Sequence, residues 1–491
     1  MADKNVIQKQ SLQFRYNGTA DGFALQKEVS DWCKLVLIPE IEQQLEAFAP
    51  ADDYISIDKL VIDASIDKKD WQQQIRNELI RGLSKKLSAY KPLPKSTAVK
   101  TERLSRKLDE LVLFYFENGF LPWWGKAMLQ PDLRSILLEW TTSEMPQVRA
   151  AEIAAALKQI ISPAVVERMM NHLPQQIYFQ FLRNIFRSET EFVNQVALFL
   201  KELMPAETTT AKRAAVERPV HGFILNTMIK NAGKLDTALL FQFIYEELKT
   251  NKVTAAIVKT AAGKTGRPAD PLKKDWQKFL AKEKKAAKKQ ITDPDKETGK
   301  LKYNKTIDEL KGENTNQKQR EELAAIVPEG IYIENAGAVI IAAFLPALFE
   351  KLKITSNQNI LNTNLAAMII QYAVSGNTKM EEHELVLPKI LCGIDLELTV
   401  DTSKKITADQ MQEADDMLSA VIEYWTVIKN TSLQGLRESF LQRSGKLSQV
   451  GNEWLLQVEQ KPFDMLLQQL PWSISMIRLP WMNNLLKTEW V

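Results

Sequence analysis

The side chains best suited to chemistry are three histidines, His172, His221 and His383, and two cysteines, Cys33 and Cys392. A zinc site needs such residues in pairs at short spacing, and no histidine has a second histidine or cysteine at that distance. No metal ligand set is expected, and the histidines read as ordinary surface or hydrogen-bonded side chains. Neither cysteine has a histidine near it in sequence and no Gly-x-Ser-x-Gly elbow occurs, so no nucleophile is signposted. Gly263-Lys264-Thr265 has the form of the end of a phosphate-binding loop. The position that should carry that loop's first glycine is Val258, and no cofactor site is expected. Asp58 and Asp63 flank a predicted strand. An odd separation puts them on opposite faces, unsuited to a paired-carboxylate site. The reading is that the chain is not an enzyme.

Two further features could recognise a partner. Residues 251–310 hold 16 Lys or Arg against 8 Asp or Glu, leaving the rest of the chain acidic although the overall charge is only +3. Lys282 to Lys289 alone contains five lysines. Such a segment could grip phosphates, with Trp276 and Tyr303 stacking on bases. The interspersed acids and the lack of any nucleic-acid-binding motif favour a solvated linker instead. The second feature is tryptophan in loops: Trp123 and Trp124 side by side, and Trp472 and Trp481 each after a proline. Loop tryptophans either plug a core or anchor an interface. Core plugs are the default reading, and Trp123, Trp124, Trp472 and Trp481 are the candidate partner interface.

The elements that would position these residues follow from periodicity. Leu12, Phe14 and Tyr16 alternate as a strand, and Ile55, Ile57, Leu60 and Ile62 suggest another. Helical spacing joins Leu25, Val29 and Trp32, then Ile41, Leu45 and Phe48 after Pro39, then Trp71, Ile75, Leu79 and Leu83. Residues 1–92 therefore read as a small α/β unit, ending at the linker Lys91-Pro92-Leu93-Pro94-Lys95. Residues 93–250 read as short helices. Gly119 stops the first, and prolines at 131, 146, 163, 174, 205 and 219 are each suited to a first helical turn. Residues 251–328 read as a basic insertion, partly helical or disordered. Residues 329–491 read as a mostly helical domain. A short strand is expected at Ile331–Ile333 and helices at 338–352, 361–374 and 411–429. A hairpin is expected around Val450-Gly451-Asn452, and a strand near 473–477. The fold class is α-rich α+β.

At 491 residues the chain exceeds one ordinary core. Its 45% hydrophobic and 25% charged residues are the balance of a soluble globular protein. The two cysteines, in different predicted domains, argue against a disulfide framework and for a reducing compartment. The polar first residues carry no signal core, and no run of about 18 apolar residues could span a membrane. A cytoplasmic protein is expected, unless it leaves by a route without a signal peptide.

Several blocks then resemble one known family. Asn118-Gly119-Phe120-Leu121-Pro122-Trp123-Trp124 is similar to the Gly-x-Leu-Pro-Trp-Trp motif of the contractile injection system tape measure proteins. So are Ile55 to Asp63, Asn335-Ala336-Gly337 with Phe344 to Phe349, Glu382 to Gly393, Lys429 to Ser432 with Leu436 to Leu441, and Lys461 to Asp464 with Pro471 to Trp481. The blocks recur in order along most of the chain but not in 251–328. The resemblance implies a structural or assembly part of a phage-tail-like particle, without catalysis. Its partners would be tube, baseplate or terminator components, met in the producing bacterium's cytoplasm or in the assembled particle. A fully helical ruler of this length would reach roughly 740 Å at about 1.5 Å per residue. Yet the prolines, glycines and tryptophans describe compact domains with a radius of gyration of about 23 Å. An extended ruler and a folded assembly factor are both open.

Overall fold

The computed structural model describes residues 28–48, 70–89, 97–129, 132–186, 190–204, 208–253, 271–289, 330–451 and 453–490. The expected strands at 12–16 and 55–62, with Asp58 and Asp63, lie outside these, as do Gly263-Lys264-Thr265 and Tyr303. By packing, the chain forms two compact units: Met1–Leu111 with Trp123–Gln130, and Val112–Pro122 with Pro131–Val491.

In the first unit, helix α1 (Ile38–Phe48) packs on α2 (Trp71–Ala89). Trp32, Leu37 and Ile75 are buried together, and the Trp32 and Trp71 rings meet edge to face at 5.2 Å. Arg76 reaches back to Glu40 at 2.7 Å. Pro39 does not restart the helix as expected. The helix passes through it by widening into a π turn over Cys33–Leu37, where the Ile38 N–H bonds the Cys33 carbonyl. A proline ring crowds the carbonyl four residues back, and the wider turn makes room for it.

Helix α3 (Thr97–Asn118) ends where expected. Gly119 adopts φ +75° and donates to the Tyr115 carbonyl at 2.8 Å. The second unit continues with α4 (Leu133–Thr142), α5 (Gln147–Ile160), α6 (Pro163–His172), α7 (Gln175–Phe186), α8 (Thr190–Leu203), α9 (Thr210–Lys230) and α10 (Thr237–Thr250). Asp132, Ser162, Thr209 and Asp236 cap four of these through side-chain oxygens. Pro146 and Pro163 sit at helix starts, as read from sequence. Pro219 instead lies inside α9. Every residue from Val220 to Ile229 is buried, so tertiary packing on all sides of α9 outweighs the lost hydrogen bond. Helix α11 (Pro271–Lys289) packs on α8 and α10.

The C-terminal part begins with β1 (Ile331–Ile333), as expected. The single helix read over 338–352 is in fact two elements: a 3-10 run at Ala336–Phe344, then α12 (Leu345–Lys351). Pro346 lies in the first turn of α12 and has no N–H to continue the run behind it. Strands β2 (Thr355–Ser356) and β3 (Asn359–Ile360) form a small hairpin before α13 (Thr363–Ser375). A 3-10 turn (Glu382–Leu385), α14 (Val386–Leu391), α15 (Ala408–Tyr424) and α16 (Leu433–Leu436) follow. The main sheet has the order β1-β4-β5-β7-β6, with β4 (Gly445–Val450), β5 (Glu453–Val458), β6 (Met476–Ile477) and β7 (Leu486–Trp490). The β4–β5 hairpin turns at Gly451, φ +63°, and β7 lies parallel to β5. Trp454, Leu456 and Val458 alternate inward from β5, the pattern their spacing foretold. They join the 3-10 run, α13 and α15 in one continuous core.

Candidate functional site

The three histidines and Cys392 lie in the second unit, which also buries several charged side chains. Arg168 lies on α6 in the same stripe as Val165, Met169 and His172, so the helical period that buries those residues buries it too. Its side chain is fully enclosed. The guanidinium donates to the carbonyls of Phe116 (2.9 Å) and Glu117 (2.8 Å) at the end of α3, and to that of Glu397 (2.6 Å). Its Nε stands 3.4 Å from Glu382 Oε1. Glycine is required at 119: besides the positive φ, a Cβ there would lie 2.7 Å from the guanidinium.

Glu382 Oε1 also accepts from Lys389 Nζ at 2.6 Å, and Lys389 donates to the Leu396 carbonyl. Lys389 is the one charged residue of α14, and burial pulls it down to about 8 in spite of the Glu382 carboxylate beside it. Glu382 Oε2 has no hydrogen-bond partner among the described residues. Two cations thus share one carboxylate oxygen in the interior. Removing one partner from such an arrangement leaves an uncompensated buried charge.

His172 and His221 are buried and His383 is half-buried, so the surface reading gives way to the hydrogen-bonded one for the first two. His172 Nε2 and the Tyr115 hydroxyl share a bond of 2.6 Å, and His221 Nδ1 and the Tyr178 hydroxyl one of 2.8 Å. His383 Nδ1 stands 3.4 Å from Glu381 Oε2 without making a hydrogen bond. Burial holds each of the three down to about 4, so all are neutral at pH 7. Burial also raises Glu381 to about 7. The His383–Glu381 pair is therefore better described as a largely neutral contact than as an ion pair. Cys33 and Cys392 are free thiols. Cys392 is buried, and burial pushes its pKa far up, the opposite of an activated nucleophile.

Other described blocks of the resemblance also place a polar group in the interior. Asn335 donates to Gln371 Oε1 (2.8 Å) and to the Glu384 carbonyl (2.7 Å). Arg437 holds the Ala373 carbonyl (3.0 Å) and Asp415 (2.6 Å). Arg443 grips Asp464 with two parallel bonds of 2.7 and 2.8 Å. Gly337 admits the Phe440 carbonyl where a Cβ would clash at 1.8 Å. What these residues do chemically is tie chain segments together.

The four loop tryptophans divide. Trp472 donates its indole N–H to the Ile340 carbonyl (2.9 Å) and meets Phe344 edge to face at 4.9 Å. Trp481 donates to Leu391 (2.8 Å) and stacks on Phe349 at 5.3 Å. Both fasten the C-terminal loop to the core. Trp123 and Trp124, in the first unit, are half-buried, with Lys107 Nζ 4.0 Å above the Trp124 ring. Trp276 cannot stack on bases. It is fully buried against Phe199 (5.7 Å), Phe241 (5.3 Å) and Phe279 (5.4 Å).

Sequence reasoning passed over Arg168, Glu382, Lys389 and the Arg443–Asp464 pair. A signal for two of them was present: a lone cation on an otherwise apolar stripe, Arg168 among Val165, Val166 and Met169, and Lys389 between Pro388 and Ile390.

Compared with known proteins, the chain matches the family of contractile injection system tape measure proteins over residues 4–490. No curated protein and no solved structure matches it. The match spans nearly the whole sequence, and the chain belongs to that family.

Proposed function

We propose that this tape measure family member serves particle assembly as a folded body, and that its length is not read out by extending the whole chain. Membership makes it a structural or assembly component of a contractile injection system, acting with other components of that system. No described helix is long and apolar enough to cross a membrane.

One observation carries the folded-body reading. Four of the described blocks that mark the family each commit polar side chains to buried ties: Asn335, Glu382 with Lys389, Arg437 and Asp464. Drawing the chain out as a ruler would expose each of these and the apolar core around them, at a cost comparable to unfolding. With Trp472 and Trp481 occupied by the core, Trp123 and Trp124 remain the pair proposed to meet a tube, baseplate or terminator component.

The test is electron microscopy of particles from cells whose chain lacks residues 291–328, a deletion that spares α11 and its buried Trp276. A helical ruler would shorten the tube by roughly 57 Å, at about 1.5 Å for each residue removed. Tubes of unchanged length support the folded-body reading, and proportional shortening sinks it. Trp123→Ala/Trp124→Ala in the same assay should reduce particle number without changing tube length.

A further inference from the structure

Two helices of the second unit carry opposite charge on outward faces. Helix α11 contains eight lysines against Asp275 and Glu283, a net of +6. Its apolar side is fixed, with Leu272, Trp276 and Leu280 buried. That anchoring forces Lys274, Lys278, Lys282 and Lys285 outward as one exposed stripe. Helix α15 contains Asp409, Glu413, Asp415, Asp416 and Glu423 and no Lys or Arg, a net of −5. Its buried side is Ala414, Met417, Leu418, Val421 and Ile422. Glu413 is taken by Lys351 and Asp415 by Arg437. Asp409, Asp416 and Glu423 stay exposed along one stripe with Gln412 and Ser419.

Partners are scarce among the described residues. Among the described residues Lys274, Lys282 and Lys285 have no carboxylate partner, and Lys278 has only the exposed Asp275 at 2.9 Å. Among the described residues Asp416 accepts a hydrogen bond only from the neutral Gln412 amide, at 2.8 Å, although the Lys351 ammonium held by Glu413 is near enough to attract it. The spacings agree. Asp409, Asp416 and Glu423 recur every seven residues, and so do Lys278 and Lys285. Seven helical residues rise about 10.5 Å, so two lysines can meet two carboxylates in one register.

We propose that the lysine face of α11 docks on the acidic face of α15 in a second copy of this chain. The two faces differ, so the contact is head to tail. Each copy offers α11 to one neighbour and α15 to another, and copies add in a row or close a ring. The inference goes beyond the assembly role proposed above and does not depend on which other component the protein meets. A nucleic acid is the less suitable occupant. Asp275 flanks the lysine stripe, and the aromatics of α11, Trp276 and Phe279, stack on each other at 5.4 Å beneath it.

The experiment is sedimentation velocity of the purified full-length chain over a range of protein concentrations at low salt. The wild type should associate with rising concentration, and added salt should dissolve the association, since the screening length falls to about 3 Å near 1 M. Lys278→Glu/Lys282→Glu/Lys285→Glu should weaken self-association by more than about tenfold, as should Asp409→Lys/Asp416→Lys/Glu423→Lys. Mixing the two variants should restore it, because each then supplies the face the other lacks. Unchanged circular dichroism and melting would show that both variants fold. A wild type that stays monomeric at low salt overturns the proposal, and so does failure of the mixture to associate. Binding of a DNA oligonucleotide by a monomeric wild type, lost in the lysine variant, would also overturn it and give the lysine face to nucleic acid.

Discussion

Helices α11 and α14 handle lysine in opposite ways. Helix α11 holds eight lysines, and its described ones face water or lie at the helix edge while Trp276 faces in. Helix α14 holds one, Lys389, and that one is buried beside Glu382 and Arg168. The number of charges on a helix therefore says little about how much they matter to the fold. Exposed charges are solvated and interchangeable, whereas a single buried one must be compensated by named partners. The surface helix is free to serve an interface, and the interior one is committed to the fold.

The contrast can be broken at the interior charge first. Glu382→Gln leaves Arg168 and Lys389 buried without their carboxylate. It should cost about 3–5 kcal/mol, read as a lower urea midpoint at unchanged slope. Removing the anchor of the surface helix comes next. Trp276→Ala should cost about 3 kcal/mol, near the low end for a buried tryptophan because Phe199, Phe241 and Phe279 can close toward the gap. It should also loosen α11, seen as faster amide exchange along 271–289.

Acid probes the same interior without mutation. His172, His221 and His383 have folded pKa values near 4 against 6.5 in the open chain, so the unfolded state binds more protons between those values. Their stabilisation is present above pH 6.5 and is lost as the pH falls toward 4. Glu381, raised to about 7 from 4.5, acts the other way, with its contribution present below pH 4.5 and lost as the pH rises through 7. Across pH 5–6 these four groups leave a net uptake of about two protons on unfolding. That is at most about 2.7 kcal/mol per pH unit, measurable as the pH dependence of the urea midpoint. His221→Gln should flatten the slope by about one proton. The smallest effect sharpens the comparison. Lys389→Met removes a buried cation that is already easily deprotonated and leaves Arg168 with Glu382, so it should cost less than about 1.5 kcal/mol. A loss as large as that of Glu382→Gln would show that the lysine holds the site together as much as the carboxylate does.

Local periodicity determined much of this protein in advance. The helix ending at Gly119, the alternation of Trp454, Leu456 and Val458, the turn at Gly451 and the α-rich α+β class were legible because each rests on neighbours a few residues apart. The ordered blocks from Ile55 to Trp481 made the family legible too. Other features rest on contacts between distant residues. Pro219 sits inside α9 because surrounding helices bury Val220–Ile229, a condition its own sequence does not display. Trp276 became a core residue of a basic helix only because α8 and α10 supply Phe199 and Phe241. The Arg168–Glu382–Lys389 site joins residues 214 and 7 positions apart. Sequence could mark Arg168 and Lys389 as cations on apolar stripes. Only the tertiary structure decided that one carboxylate would serve both, because the low dielectric that makes the pairing matter exists only once the core has closed around it.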